Sequence, residues 1–220
     1  LYIVSGDEQL LVQETTDLVR RSLRSYGFIE RELFHVEAGF EWSSLLQSAS
    51  SMSLFVEKKL IEVRLTSGRP GSQGGKVLTE LLDQLNGDNV LLLVLPRVGQ
   101  DVQRSNWFKT LFAEGAFVQI WPIEAKDLPG WLINRFRDEG FKVTRDAVEL
   151  MADRVEGNLL AAAQEIERLK LKAVGTVVDV REITDEVADS ARYDVFKLLD
   201  SAIAGDAEKS IRCLLYTSPS

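Results

Sequence analysis

The sequence predicts an α/β domain built on a mostly parallel sheet, followed by a small helical domain. Three observations carry this. Short apolar runs alternate with helix-period segments from Leu1 to about Trp121, as when strands are joined by helical crossovers. Val90–Leu95 is a continuous apolar run, the pattern of a strand covered on both faces. From Asp127 onward the strand signal fades and helix-period segments succeed one another. The 220 residues are enough to bury a core, and 45% hydrophobic with 27% charged residues is an ordinary globular balance.

Leu1–Val4 is a short apolar strand that runs into the turn Ser5-Gly6-Asp7. Asp7 is the expected N-cap of the next helix, and Glu8 suits its first turn, where the dipole favours negative charge. Leu10, Leu11, Leu18, Val19 and Leu23 continue that helix to Tyr26-Gly27. Glu32–Glu37 alternates as a strand, and Trp42, Leu45 and Leu46 indicate a further helix. Leu60–Leu65 alternates apolar and charged residues, which predicts a half-buried strand. Ser67–Gly75 is rich in Gly and Ser and reads as a loop. Val77–Leu85 and Trp107–Phe112 are helical, and Phe117–Trp121 is a strand closed by Pro122.

In the second part, Leu128–Glu139, Thr144–Val155 and Asn158–Ala173 read as helices, with Thr144 as an N-cap and Gly140 and Gly157 at boundaries. Thr176–Val180 suggests a short strand, Ile183–Val187 a short helix, and Tyr193–Ala204 an amphipathic helix stopped by Gly205. The expected division is 1–121 for the α/β domain, 122–190 for the small helical domain, and 191–212 for the truncated start of a third. Cys213–Ser220 reads as a non-native tail, and the lack of an initiator Met suggests that the start of the gene product is missing.

Composition narrows the chemistry. Lys plus Arg total 26 against 34 Asp plus Glu, a net charge of −8, so tight autonomous binding to nucleic acid is not expected. A single Cys cannot form an internal disulfide, and a single His cannot build a His-cluster metal site. No apolar run approaches the roughly 20 residues that a membrane helix needs, which leaves the cytoplasm as the default expectation.

The first strand-turn-helix is where a nucleotide-binding sheet keeps its phosphate loop. That loop needs G-x-x-x-x-G-K-[ST], with amides around the phosphates, a Lys, and a hydroxyl for magnesium. The turn here is GDEQLLVQ (Gly6–Gln13), with one Gly, no Lys and two acids. The apolar strand that should end in a magnesium-holding Asp ends instead in Pro96-Arg97. GSQGGK (Gly71–Lys76) lacks the hydroxyl residue after its Lys and reads as part of the flexible loop. His35 lies in an alternating strand and reads as a sheet-face residue. The Glu165–Arg168 stretch reads as a solvated helix face, and the four Trp residues, scattered singly, mostly as core anchors. No catalytic nucleophile, metal constellation or cofactor fingerprint is present in the sequence.

One corner stands apart. Ser48–Ser53 is small and mostly polar and leads into Leu54-Phe55, between a helix and a strand. Two large apolar residues there either tuck into the core or stand out as an anchor for a partner's pocket. The residues alone favour tucking in.

The chain as a whole resembles the DNA polymerase III delta subunit family of bacterial clamp loaders. The resemblance is carried by LYIVSGDEQLLVQE (Leu1–Glu14), SMSLFVEKKLIEV (Ser51–Val63), LLLVLP (Leu91–Pro96) and WFKTL (Trp107–Leu111). It continues in LPGWL (Leu128–Leu132), EGNLLAAAQEIERLKL (Glu156–Leu171) and YDVFKLLDSAIAGD (Tyr193–Asp206). It implies an AAA+-like (RecA-like) first domain, a helical lid domain and a helical collar domain, here cut short. It also implies a non-catalytic subunit of the polymerase holoenzyme, with no cofactor and no ATP hydrolysis of its own. Such a subunit grips and opens the ring-shaped sliding clamp (beta). Its partners would be the gamma/tau and delta-prime loader subunits, with primed DNA reached only within the complex. The resemblance places clamp binding at Met52, Leu54 and Phe55, and reverses the expectation for the pair from tucked in to exposed. The alternatives are an ATP-hydrolysing AAA+ module of the same loader and an unrecognised α/β enzyme with a polar pocket around His35 or Asp7.

Overall fold

A computed structural model describes residues 1–50, 58–85, 87–172 and 175–183. The chain divides into two compact units, the first Leu1–Pro122 and the second beginning at Ile123.

The first unit is a five-stranded sheet. Its strands are β1 (Tyr2–Ser5), β2 (Glu30–Val36), β3 (Lys59–Leu65), β4 (Asn89–Leu95) and β5 (Ala116–Gln119). The spatial order is β2-β3-β4-β1-β5, and every pair is parallel. The crossovers are helical: α1 (Gln9–Ser25), α2 (Ser43–Ser50), α3 (Gly71–Leu82), then α4 (Gln100–Gln103) with α5 (Asn106–Glu114). This is the α/β parallel-sheet fold that the alternation predicts.

The two sheet faces are covered differently. Ile3, Ile61, Val63, Leu91 and Leu93 pack against α2, α3 and α5 through Leu45, Leu78, Leu81, Phe108 and Leu111. The opposite face, with Val4, Leu60, Leu92 and Val94, receives Val12, Val19 and Leu23 of α1. Residues at alternate positions of β4 thus enter two separate cores, which is why its sequence is apolar throughout.

Two segments differ from expectation. The Gly- and Ser-rich stretch read as a loop contains the first turns of α3, which starts at Gly71. Gly74 is buried in that helix, and a Cβ there would come within 2.3 Å of the Trp42 indole. The glycine gives the ring room to pack, and that tertiary contact outweighs glycine's poor helix propensity. β3, read as half-buried, is covered on both faces; even its central Glu62 is inaccessible.

The second unit holds α6 (Leu128–Asp138), α7 (Arg145–Val155) and α8 (Leu159–Lys172). Leu132, Phe136, Val148, Met151, Leu159 and Ile166 are buried within it. A small parallel pair, β6 (Lys142–Val143) with β7 (Val177–Val178), accompanies them; β6 was not foreseen. Asn158 Oδ1 accepts the Ala161 N–H at 3.0 Å and so caps α8, while Thr144 holds the N-cap position of α7 without a side-chain bond. Arg168 pairs with Glu165 at 3.0 Å on the polar face of α8. The expected helix over Tyr193–Ala204 lies outside the described residues.

Candidate functional site

Ligands of open parallel sheets sit beyond the carboxyl ends of the strands, where the strand order reverses. Here that point is β1, which lies between β4 and β5 although the chain proceeds from it to the far edge at β2. The turn after β1 is closed by the connection that follows β4. Ser5 Oγ donates to the Pro96 carbonyl at 2.9 Å and accepts the Val98 N–H at 3.1 Å. Gly6 N–H donates to the Leu95 carbonyl at 3.2 Å. Asp7, expected to cap α1, instead accepts the Arg97 N–H at 3.0 Å, and Glu8 holds the cap position without a side-chain bond. Gly6, the one glycine shared with a phosphate loop, is there for close packing: a Cβ would fall 2.6 Å from Ile120 Cβ. The Arg97 guanidinium lies over the Trp121 ring, 4.5 Å from its centroid. The Gly6 amide of this turn is therefore engaged with a protein oxygen, and the Asp7 carboxylate stands beside it.

His35 is exposed on edge strand β2, as a sheet-face residue should be. Three strand spacings, ~14 Å, separate β2 from β1, so His35 and Asp7 do not converge on one pocket. Trp42 and Trp107 belong to the core, whereas Trp121 is 55% exposed. Among the described residues no group of His, Cys, Asp and Glu gathers as metal ligands, and no helix is long and apolar enough to cross a membrane.

Met52, Leu54 and Phe55 lie outside the described residues, but both flanks of their segment are defined. One flank is the last described turn of α2, where Ser48 and Ala49 are buried and Ser50 is exposed. Ser48 is inside and donates to Glu32 Oε2 at 2.5 Å. Lys59 Nζ donates to the Ser48 carbonyl at 3.1 Å, and Asn89 Nδ2 to the Ala49 carbonyl at 3.0 Å. The other flank is the start of β3 at that same Lys59. Its ammonium, nearly buried, is balanced by Glu32 at 3.4 Å and Glu30 at 3.7 Å. No sequence pattern flags Lys59 or Asn89, because their roles depend on strand register.

A second buried charge was also missed. Glu62 receives Arg20 of α1 through both oxygens (2.9 and 2.7 Å), Arg31 of β2 at 2.8 Å and Arg64 of β3 at 2.8 Å. Burial alone would push its carboxyl up, but the hydrogen bonds from Arg20, Arg64 and Arg31 outweigh that and hold it at about 2. The cluster ties α1, β2 and β3 together on the face opposite α2.

The chain is 25% identical over 213 residues to the DNA polymerase III subunit delta of Escherichia coli (strain K12), covering 97% of this chain and 62% of that protein. It is likewise 25% identical over 217 residues to the same subunit of Haemophilus influenzae, covering 97% and 63%. The chain thus spans a little over three-fifths of the length of these curated relatives. Among solved structures, a Bacillus subtilis DNA clamp loader delta protein superposes with a TM-score of 0.67 at 18% identity, covering 100% of this chain and 68% of that one. The Thermotoga maritima RuvB Holliday junction branch migration motor gives 0.54 at 12% identity, covering 92% and 67%. At those identities the likeness shows a shared AAA+-type fold and no more. The family model for the DNA polymerase III delta subunit matches residues 2–120, the whole parallel-sheet unit and more than half of the chain; the chain belongs to the DNA polymerase III delta subunit family.

Proposed function

We propose that this chain is the clamp-gripping part of a clamp loader, binding and opening the sliding clamp without hydrolysing ATP itself. The observation that supports this best is the turn after β1. Its Gly6 amide is bonded to the Leu95 carbonyl, Ser5 and Asp7 accept the Val98 and Arg97 amides of the connection after β4, and the Asp7 carboxylate would repel a phosphate. A family member with an AAA+-type sheet but without the phosphate-loop Lys acts by binding a partner. Met52, Leu54 and Phe55 form the gripping element, at the corner between α2 and β3. Work on the ring comes from differential affinity: the chain opens the clamp only as far as it binds the open or strained form better than the closed one. ATP-bound gamma/tau subunits would expose it, delta-prime would complete the loader, and hydrolysis elsewhere would release the clamp on primed DNA. In this reading 1–121 binds the clamp, 122–190 is a lid-type domain, and 191–212 opens a collar domain.

Calorimetric titration tests the reading in two parts. Mg-ATP at physiological concentration is expected to give no binding heat, and a bacterial sliding clamp is expected to give saturable binding that Mg-ATP leaves unchanged. Micromolar ATP binding, or no clamp binding, would contradict it. With a net charge of −8, the chain alone is also expected not to shift primed DNA at physiological salt.

A further inference from the structure

Glu62 has no acceptor left to offer. Its Oε1 takes N–H bonds from Arg20 Nη2 and Arg64 Nε, and its Oε2 from Arg20 Nε and Arg31 Nε. A carboxylate has about four acceptor sites, so these bonds fill it. Arg31 and Arg64 each give Glu62 only Nε. Their terminal nitrogens have no partner among the described residues, and both side chains are part-exposed. The charges are also uneven, with Arg20, Arg31 and Arg64 set against Glu62 and Asp17. The surface here is open. β2 is the edge strand, and the core under α1 holds residues of β1, β3 and β4 but none of β2. Leu33, 39% exposed, is the register partner of Glu62, and His35 that of Arg64. Arg31, Leu33 and His35 alternate along β2 and so share this face.

We propose that this face docks an acidic segment of a protein partner, whose carboxylates pair with Arg31 and Arg64 and whose apolar side chain covers Leu33. A guanidinium fork matches a carboxylate through parallel N–H bonds. Arginine anchors beside an apolar centre are also the make-up of protein contact sites. Ordering a long side chain on association is costly, and Glu62 has already ordered these two. A nucleic-acid backbone fits less well. It brings a phosphate charge about every 1.7 Å of duplex to a chain of net charge −8, and it has nothing apolar to set on Leu33. The inference does not depend on the role of Leu54 and Phe55.

The test follows the backbone and arginine Nε resonances of the full chain by NMR as probes are added at fixed ionic strength. The probe is the synthetic peptide acetyl-Gly-Glu-Leu-Glu-Gly-amide. The other arms are a counterpart with Lys in place of Glu, inorganic phosphate, and a single-stranded oligonucleotide. The acidic peptide is expected to saturate the signals of Arg31, Leu33 and Arg64 with a dissociation constant of about 1 mM, and the other arms to leave them in place. Leu33→Glu, which sets a carboxylate in the way, and Arg64→Gln are each expected to weaken the peptide roughly tenfold. Lys109→Gln, on α5 across the sheet, is expected to change nothing. Should Arg64→Gln not fold, because it strips a bond from buried Glu62, Leu33→Glu decides, since it leaves that cluster intact. No response at Arg31, Leu33 and Arg64 overturns the proposal. An equal response to phosphate, which marks an adventitious ion only, overturns it too, as does a stronger one to the oligonucleotide. Signals that move with the concentration of the chain alone would make a second copy the occupant and likewise overturn it.

Discussion

Glu62 sits without solvent exposure on the α1 face of the sheet because guanidiniums from three elements reach it. Removing its charge while keeping its shape tests that cluster. Glu62→Gln is expected to destabilise the fold by about 3–5 kcal/mol, since it leaves guanidiniums facing a neutral amide. The effect has a defined pH window. The folded carboxyl is held at about 2, below its ordinary value of 4.5. Its contribution, ~3 kcal/mol, is therefore complete above pH 4.5 and is lost as pH falls from there toward 2. Denaturant titrations are expected to show the gap between the unmodified chain and Glu62→Gln constant from pH 7 to 5 and closing below 4.5. A gap that stays constant down to pH 2.5 would contradict the assignment.

At the scale of an element, α3 is held by a contact that depends on a missing side chain. In a free helix Gly→Ala is stabilising by about 1 kcal/mol. At Gly74 the added carbon would meet the Trp42 ring, which is itself packed on Phe40 with centroids 5.3 Å apart. Gly74→Ala is therefore expected to reverse that sign and cost about 1–3 kcal/mol, read as a lower thermal midpoint. The same stretch shows where the sequence is opaque. GSQGGK reads as a loop because its glycines have no apolar period, and what makes it helical is an indole from another element. β4 was legible, because a strand buried on both faces has to be apolar at every position. β3 was only half legible: its charges look like a solvated face until Arg20 and Arg31, 42 and 31 residues away in sequence, are brought to Glu62. Asp7 reads as a cap from its neighbours, but its partner Arg97 is 90 residues away. The missing phosphate-loop residues were visible at once, since absent residue types need no fold to be noticed. The bonds from Lys59 and Asn89 to the Ser48 and Ala49 carbonyls of α2 need the register of the strands and so stayed hidden.

At the largest scale, the first unit is an AAA+-type sheet in which the turn after β1 packs closely, with Gly6 N–H bonded to Leu95 and a Cβ at Gly6 placed 2.6 Å from Ile120. In the function proposed above, binding runs through Met52, Leu54 and Phe55, in the segment between α2 and β3. The measurement that bears most directly on it is the affinity of the chain for a bacterial sliding clamp, with and without Leu54→Ala/Phe55→Ala, alongside the thermal midpoint of each. Burying such a side chain is worth about 1.5–3 kcal/mol, and losses at paired anchors are not additive. The expected result is affinity weaker by roughly two to three orders of magnitude with a midpoint that barely moves, because an anchor for a partner contributes little to its own fold. A midpoint several degrees lower with clamp affinity intact would place the pair in the core and contradict the account.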